Sequence, residues 1–270
     1  MFTKNEQTGN MKPYYETELG KLYHGDCLEI MPMLEPVDLV VTSPPYDDLR
    51  TYGGFSFDYK KTIVYLYDKV KVGGVVVWVV GDATKNGNES GTSFNQALFF
   101  KESGFNLHDT MIWIKDGGGA IGSNKAYTQN FEYMFVFSKN NIKTFNLICD
   151  KPNLSYGQDK SGVGRRKKTG EHKIETRKPS KKFSKRNNYW YVPPQNGEHP
   201  AVFPDQIAHD HIVSWSNKND IVLDIMCGSG TTCCEAERLN RRWIGIEIEE
   251  KYCEIAAKRI EKERSQLKLW

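Results

Sequence analysis

Two adjacent prolines between a hydroxyl and an aromatic ring are the first residues in this sequence that could do chemistry. Ser43, Pro44, Pro45 and Tyr46 come shortly after residues 37–41, whose apolar run is typical of a buried strand. The prolines fix φ and lack amide hydrogens, so the carbonyl groups of this turn are rigid acceptors. Ser43 and the Pro44 carbonyl could accept hydrogen bonds in the plane of a small ring, and Tyr46 could stack on its face. This chemistry suits the exocyclic amino group of a nucleobase turned out of its helix, while a rigid turn with a buried tyrosine explains the tetrapeptide alone equally well.

A glycine turn later in the chain predicts a cofactor site. Residues 221–225 have the pattern of a strand, Gly228 and Gly230 allow the backbone to approach a ligand closely, and a helix is predicted over 231–239. The amides of Thr231 and Thr232 would suit a carboxylate or phosphate. Cys233 replaces the third glycine of a dinucleotide fingerprint, and no lysine follows the second glycine as in a P-loop. The spacing therefore excludes a hydride-transfer enzyme and a P-loop.

An acidic residue lies near the end of the next predicted strand, at 243–248. Glu247 comes 23 residues after Asp224, where an acidic side chain can bind both ribose hydroxyls of an adenosine-containing cofactor. Taken alone, Glu247 is also explained as an acidic cap on the helix predicted over 251–265. The complete order of strand, glycine turn, helix, strand and acid favours nucleoside binding.

Strands and helices alternate along most of the chain. This order predicts an α/β fold with a mainly parallel, Rossmann-like sheet and helices on both faces. Strands at 111–115 and 133–138 have no helix between them, so we expect a late antiparallel β-hairpin. We divide the chain into a loose N-terminal arm at 1–20, one α/β domain formed by 21–148 and 199–270, and an insertion at 149–198.

Most of the positive charge lies in the insertion. Residues 151–198 include 13 Lys and Arg but 4 Asp and Glu, a net charge of +9 in a chain whose total is +3. The rest of the chain is therefore acidic, and a basic region on an acidic body predicts a polyanionic partner. A solvated lysine-rich loop is the alternative.

Composition excludes several classes of protein. The chain has 270 residues, of which 39% are hydrophobic and 26% charged, which suits one large domain with an insertion. No apolar run reaches the length of a membrane span, and the N-terminus lacks the apolar core of a secretory signal. The six cysteines form no C-x-x-C pair, and no histidine has convincing ligand spacing. We therefore expect reduced thiols, no metal site, no membrane partner and a cytoplasmic location.

The motifs and their order along the chain resemble those of the beta-class DNA amino-methyltransferases, which use S-adenosylmethionine. Gly25-Asp26-Cys27 comes first, the Ser-Pro-Pro-Tyr segment at 43–46 second, the basic insertion third, and Asp224 with the Gly-Ser-Gly turn last. The resemblance covers nearly the whole chain apart from the arm and the insertion. It implies a Rossmann-like methyltransferase sheet, S-adenosylmethionine as cofactor and double-stranded DNA as partner. It also implies a restriction-modification context, in which a cognate restriction endonuclease is a further candidate partner.

The same resemblance implies roles for individual residues. Asp26 would contact the adenine amino group of the cofactor, and Cys27 would belong to the same cofactor site. Glu247 would hold the ribose, and Phe203 with Pro204 would close over the site. The methionine half would be lined by Asp224, Met226, Gly228, Gly230, Thr231 and Thr232. The target amino group would be held by Ser43, Pro44, Pro45 and Tyr46. One departure is Ile225-Met226, where the family often has Pro-Phe.

A second departure, Ser43, bears on the target base. Many adenine enzymes of the family have Asp at this position, and Ser-Pro-Pro-Tyr is commoner in cytosine-N4 enzymes. The resemblance therefore favours cytosine N4, with adenine N6 as the alternative. Methylation of RNA or of a protein amide and a non-catalytic DNA-binding relative are lower alternatives. The basic insertion argues against the former and the intact motifs against the latter.

The insertion is the expected DNA-contacting region. Arg186 has donors that suit guanine, and Asn187 has an amide that suits adenine, although a plain turn explains Asn187 equally well. The side chains expected to meet phosphates are Arg165, Arg166, Lys167, Lys168, Lys181 and Lys182.

Overall fold

The structure is a computed structural model that describes residues 12–45, 57–115, 127–158, 180–195 and 204–267, and the main chain of Arg165–Arg166 and His172–Lys173. The chain separates into two compact units. The first unit comprises residues 1–146 and 188–270, and the second comprises residues 147–187.

Fifteen strands and six helices are formed by the described residues. The strands are β1 (Tyr15–Glu16), β2 (Gly20–His24), β3 (Val37–Thr42), β4 (Val70–Val80), β5 (Thr84–Lys85), β6 (Asn88–Glu89), β7 (Asn106–Ile114), β8 (Phe131–Ser138), β9 (Lys151–Pro152), β10 (Arg165–Arg166), β11 (His172–Lys173), β12 (Phe183–Ser184), β13 (Tyr189–Tyr191), β14 (Ile221–Asp224) and β15 (Arg242–Glu247). The helices are α1 (Cys27–Ile30), α2 (Tyr59–Lys69), α3 (Thr92–Glu102), α4 (Asp205–Trp215), α5 (Thr231–Arg238) and α6 (Glu250–Leu267), and a 3-10 turn covers Met31–Met33.

One large sheet organises the first unit. Its strand order is β1-β2-β15-β14-β3-β4-β8-β7-β13. Strands β2, β15, β14, β3 and β4 run parallel to one another, whereas β7 and β8 form an antiparallel pair. The predicted α/β class, the mainly parallel Rossmann-like sheet and the late hairpin are therefore confirmed.

Two apolar cores cover the two faces of this sheet. On β3, Leu39 and Val41 belong to the core that includes side chains of α4, α5 and α6. Val40, between them, belongs to the core that includes side chains of α1, α2 and α3. Alternate side chains of a strand point to opposite faces, so the central strands are buried on both sides, as parallel strands covered by helices are.

The path of the chain diverges at the neighbouring strands β3 and β14. From β3 the chain passes through α2 to β4 on one side, and from β14 it passes through α5 to β15 on the other. Such a divergence leaves a crevice beyond the carboxyl ends of the strands, where open α/β sheets bind ligands.

Three elements differ from the sequence-based expectations. Tyr15–Glu16, expected in a loose arm, form β1 and pair with β2. Tyr189–Tyr191, expected in the insertion, form β13 beside β7, where the Trp113 indole donates to the Val192 carbonyl over 2.7 Å. Strands of two or three residues form because they pair with a sheet edge, and they are too short to show an alternating apolar pattern in the sequence. The sequence pattern also predicts a helix over 60–72, but this helix, α2, ends at Lys69, because the β-branched Val70 already lies in β4.

The second unit contains two short antiparallel strand pairs. Strand β9 pairs with β12, and β10 pairs with β11. The Arg186 amide donates to the Ile148 carbonyl over 3.0 Å and extends the first pair. Leu154 and Tyr156 are exposed, in keeping with the weak apolar pattern of this segment.

The helices of the described ranges are too short or too polar to cross a membrane.

Candidate active site

A cavity opens at the carboxyl edge of the parallel strands. It is lined by Gly25, Asp26, Cys27, Leu28, Ser43, Pro45, Phe57, Asp58, Thr62, Ile225, Met226, Glu247 and Ile248. These residues follow β2, β3, β14 and β15 or lie near the start of α2, so the sheet topology brings them together. Six of the predicted site residues share this cavity, namely Asp26, Cys27, Ser43, Pro45, Met226 and Glu247.

Glu247 joins the end of β15 to the glycine turn. Its Oε2 accepts a hydrogen bond from the Gly228 amide over 2.8 Å, and its Oε1 accepts one from the Glu249 amide over 2.9 Å. The side chain is buried, and burial raises its pKa. A carboxylate has about four lone-pair sites, so Glu247 has acceptor capacity beyond these two bonds for ligand hydroxyls.

Asp224, the acidic residue before the glycine turn, ties β14 to β3. Its Oδ1 accepts hydrogen bonds from the Thr42 hydroxyl over 2.8 Å and from the Met226 amide over 3.2 Å. Burial raises the pKa of Asp224 to about 6, although the Thr42 and Thr232 hydroxyls act in the opposite direction. Asp224 does not line the cavity, and neither do the predicted residues at 228–232, so their contacts with the methionine half stay predictions.

The Gly-Ser-Gly turn has a backbone that favours glycine. Gly228 has φ +51° and Gly230 has φ +82°. A Cβ added to Gly230 would lie 2.8 Å from the Ala256 Cβ, so α6 packs directly on the turn. Helix α5 begins at Thr231, and the first amides of a helix have no partner within it, which makes this end suitable for an anion. The Thr232 hydroxyl donates to the Val41 carbonyl over 3.3 Å and holds the helix start against β3.

The turn that begins with Ser43, Pro44 and Pro45, called the target turn below after its predicted role, borders the cavity directly after β3. Ser43 and Pro45 line it, and Pro44 is buried between them. Tyr46 and Phe203 lie outside the described residues, so their roles stay predictions. Pro204 is the N-cap residue of α4.

Asp26 and Cys27 enter the cavity from the turn after β2. The Asp26 Oδ1 accepts a hydrogen bond from the Leu28 amide over 2.8 Å and caps α1. Burial raises the pKa of the Cys27 thiol to about 12, so this side chain is neutral at physiological pH. Cys27 thus contributes a small apolar surface and Asp26 a carboxylate.

Three cavity residues near the start of α2 were not predicted from the sequence. Phe57 stacks on Trp78 with ring centroids 6.3 Å apart, and Asp58 Oδ1 accepts a hydrogen bond from the Lys61 amide over 3.0 Å. The Thr62 hydroxyl donates to the Asp58 carbonyl over 2.8 Å. Asp58 has the sequence signal of a helix cap, but a cap does not show that a residue borders a cavity.

The predicted DNA-contacting residues fall in the second unit. Lys181 and Lys182 are exposed. The Arg186 Nε lies 2.9 Å from Asp150 Oδ2, and Lys151 Nζ donates to the Asn187 Oδ1 over 2.9 Å. The part of the chain that the structure describes leaves out Lys167, Lys168 and the side chains of Arg165 and Arg166.

The described histidine and cysteine side chains do not gather into a metal site. Within the described residues, no group of three or more His, Cys, Asp or Glu could hold a metal ion. The Trp215 indole donates to His211 Nδ1 over 3.3 Å, and His209 Nδ1 lies 3.0 Å from Glu235 Oε2. All six cysteines are free thiols.

The cavity wall suits a nucleoside that carries a positive charge. Asp26, Asp58 and Glu247 offer carboxylate acceptors for amino and hydroxyl groups and complement a cation. The apolar side chains of Phe57 and Ile225 suit the faces of a purine ring. These are the groups of S-adenosylmethionine, which has an adenine, a ribose and a sulfonium.

Known DNA methyltransferases share this sequence pattern. Residues 37–258 match the N6/N4 family of DNA methylases. The orphan methyltransferase M.BamHII of Bacillus amyloliquefaciens is 49% identical over 249 residues, which are 87% of this chain and 90% of that protein. The type II methyltransferase M.ScaI of Streptomyces caespitosus is 28% identical over 269 residues, which are 95% of this chain and 86% of that protein.

Solved methyltransferases share the fold. The PvuII DNA methyltransferase, described as cytosine-N4-specific, matches with a TM-score of 0.67 and 22% identity over 94% of this chain and 93% of its own. M1.HpyAVI in complex with SAM matches with a TM-score of 0.61 and 24% identity over 89% of this chain and 99% of its own. The chain belongs to the N6/N4 DNA methylase family, the S-adenosylmethionine-dependent DNA amino-methyltransferases of restriction-modification type.

Proposed function

We propose that this protein transfers a methyl group to N4 of a cytosine in double-stranded DNA. The observation that carries the proposal is the shared cavity, in which Ser43 and Pro45 of the target turn face the same space as Asp26, Met226 and Glu247. Group transfer requires the reacting atoms to lie about 3–3.5 Å apart. Residues that bind the cofactor and the target must therefore border one space.

The cofactor would be held by the turns that follow β2, β14 and β15. Glu247 would accept the ribose hydroxyls, and Asp26 with Cys27 would contact the adenine. The amides at the start of α5, after Gly228 and Gly230, would bind the methionine carboxylate, with Asp224, Met226, Thr231 and Thr232 supporting this half. Phe203 and Pro204 would close over the site. S-adenosylmethionine would supply a methyl group on a positively charged sulfur. As the new bond to nitrogen forms, the sulfur would keep the electron pair of the broken bond and leave as a neutral thioether, and the amino group would release one proton.

The target turn would activate the amino group by orienting its hydrogens. An exocyclic amino nitrogen donates its lone pair into the ring and is a weak nucleophile. The Ser43 hydroxyl oxygen and the Pro44 carbonyl would accept its hydrogens and turn them out of the ring plane, which returns the lone pair to nitrogen. Tyr46 would stack on the base, an interaction that contributes roughly 1–3 kcal/mol. Preorganised acceptors of this kind do not have to reorient during the reaction.

Ser43 supports cytosine as the base. Its hydroxyl is neutral and a weaker acceptor than the aspartate found in many adenine enzymes of the family. Adenine N6 is the alternative target, and the product of the reaction distinguishes the two.

DNA would bind through the region predicted as the target-recognition insertion, residues 149–198. Lys181, Lys182, Arg165, Arg166, Lys167 and Lys168 would contact phosphates, and Arg186 with Asn187 would contact base edges. A cognate restriction endonuclease as partner stays a prediction, because the two relatives differ in kind. M.ScaI is named a type II methyltransferase, whereas M.BamHII is named an orphan.

The test is identification of the methylated nucleoside. Duplex DNA of mixed sequence is incubated with the protein and a cofactor bearing a deuterated methyl group, digested, and examined by mass spectrometry. We expect labelled N4-methylcytosine. Labelled N6-methyladenine alone would reverse the base assignment, and label in RNA or protein but not in DNA would refute the proposal.

A further inference from the structure

Arg259 of α6 contacts the glycine turn with its guanidinium group. Its Nη1 lies 2.8 Å from the Ser229 carbonyl oxygen, 3.0 Å from the Ser229 hydroxyl and 3.1 Å from the Thr231 hydroxyl. One side chain therefore joins the middle of the turn to the first residue of α5.

The same guanidinium is also held by the start of α4. Its Nη2 lies 3.2 Å from Asp205 Oδ1. Gln195 donates to the other Asp205 oxygen and accepts from the Asp205 amide, each over 3.0 Å. A planar guanidinium that is bonded on two sides has a fixed orientation.

Helix α6 therefore approaches the turn with two residues on one face. Ala256 packs against Gly230, and Arg259, three residues later, reaches Ser229 and Thr231. Gly228 and Gly230 both have positive φ, and glycine adopts positive and negative φ about equally well, so contacts from α6 help to select this conformation of the turn. A shift of the turn would redirect the first amides of α5.

We propose that Arg259, oriented by Asp205, is a positioning residue that sets the glycine turn to receive the carboxylate of the cofactor. Its positive charge lies next to Thr231 and adds to the attraction of the helix start for that carboxylate. The inference rests on the proposed placement of the methionine half at residues 228–232. Arg259 is assigned no contact with the cofactor.

The affinities for two ligands distinguish this role of Arg259 from a general effect on folding. S-adenosylhomocysteine has the amino-acid half, whereas 5′-methylthioadenosine has the same nucleoside without a carboxylate. By calorimetry, Arg259→Gln is expected to weaken binding of the first ligand about tenfold and of the second less than about twofold, because only the first ligand has a carboxylate to bind at the turn. Arg259→Lys keeps the charge without the planar fork and should fall between. Lys258→Gln is the matched control, because Lys258 pairs with Glu254 on the exposed side of α6.

A second variant keeps the test decisive if Arg259→Gln fails to fold. Asp205→Ala keeps the Arg259 side chain and should selectively weaken the binding of S-adenosylhomocysteine, by a smaller factor than Arg259→Gln does. Equal weakening of both ligands, or no weakening of S-adenosylhomocysteine, in a folded variant overturns the proposal. A wild-type protein that binds both ligands equally well would instead show that the methionine half is placed wrongly.

Discussion

The Gly228 amide donates a hydrogen bond to the Glu247 carboxylate over 2.8 Å, so the acidic residue of β15 closes the turn after β14. The proposed ribose acceptor is thereby bonded to the proposed methionine-binding turn. The two halves of the cofactor site are coupled through one side chain.

Replacement of Glu247 tests this coupling. Glu247→Ala removes both acceptor oxygens and should weaken the binding of S-adenosylhomocysteine by about tenfold to a hundredfold. Glu247→Gln keeps one carbonyl acceptor and should weaken it less. Calorimetry measures both affinities, and a wild-type affinity in Glu247→Ala would exclude Glu247 from the site.

The pKa of Asp224 predicts a pH-dependent stability. Burial raises this pKa from 3.8 to about 6, so the folded protein binds the proton more tightly than the unfolded chain. The contribution of Asp224 to the free energy of unfolding therefore falls as pH rises through this window. Asp224→Asn removes the ionisation, so its stability relative to the wild type should rise between about pH 4 and pH 7, by at most about 3 kcal/mol. Urea unfolding of both proteins across this range checks the prediction, and a constant difference would contradict it.

Alanine substitutions at Gly230 and Gly91 test the packing of α6 on the turn, with Gly91 as the control. Both have positive φ, but a Cβ on Gly230 meets Ala256 whereas a Cβ on Gly91 meets no atom within 4 Å. Gly91→Ala should cost roughly 1–2 kcal/mol of stability from backbone strain. Gly230→Ala should cost about 1–3 kcal/mol more, because its new Cβ overlaps Ala256. Equal destabilisation of the two variants in denaturant unfolding would show that the turn does not need the close approach of α6.

The charge of the second unit is expected to govern DNA affinity. Lys181→Gln with Lys182→Gln should lower the slope of log affinity against log salt by about 0.9 for each phosphate that is no longer neutralised. Specific and non-specific DNA should be weakened similarly. Lys258→Gln in the first unit is the control for the removal of a positive charge. An unchanged slope would identify these lysines as a solvated loop.

The motifs that consist of neighbouring residues could be predicted from the sequence. The turn at Gly228 and Gly230, the acid at Glu247 and the turn at Ser43 each follow a strand whose apolar run is visible locally. Ser43 and Glu247 meet at one cavity because their strands run parallel, and the glycine turn is joined to that cavity by the hydrogen bond from the Gly228 amide to Glu247.

The residues that were missed depend on packing between distant segments. Phe57 reaches the cavity because it packs, like α2, on the core of one sheet face. Arg259 reaches the turn because Gly230 has no Cβ that would keep Ala256 of α6 away. Neither residue belongs to a local motif. Likewise β1 and β13 are too short to show a period, and only the edges of the sheet define them.

In the proposed mechanism, the turn after β3 acts on the target amino group while neighbouring turns hold the cofactor. The most direct measurement is the single-turnover rate of methyl transfer to duplex DNA, taken together with the affinity for S-adenosylhomocysteine. Ser43→Ala should lower the rate by roughly threefold to tenfold, the scale of one hydrogen bond, because the Pro44 carbonyl remains. Tyr46→Ala should lower it further, and both variants should keep the wild-type affinity for S-adenosylhomocysteine. Wild-type transfer rates in both variants would show that this turn does not act on the amino group.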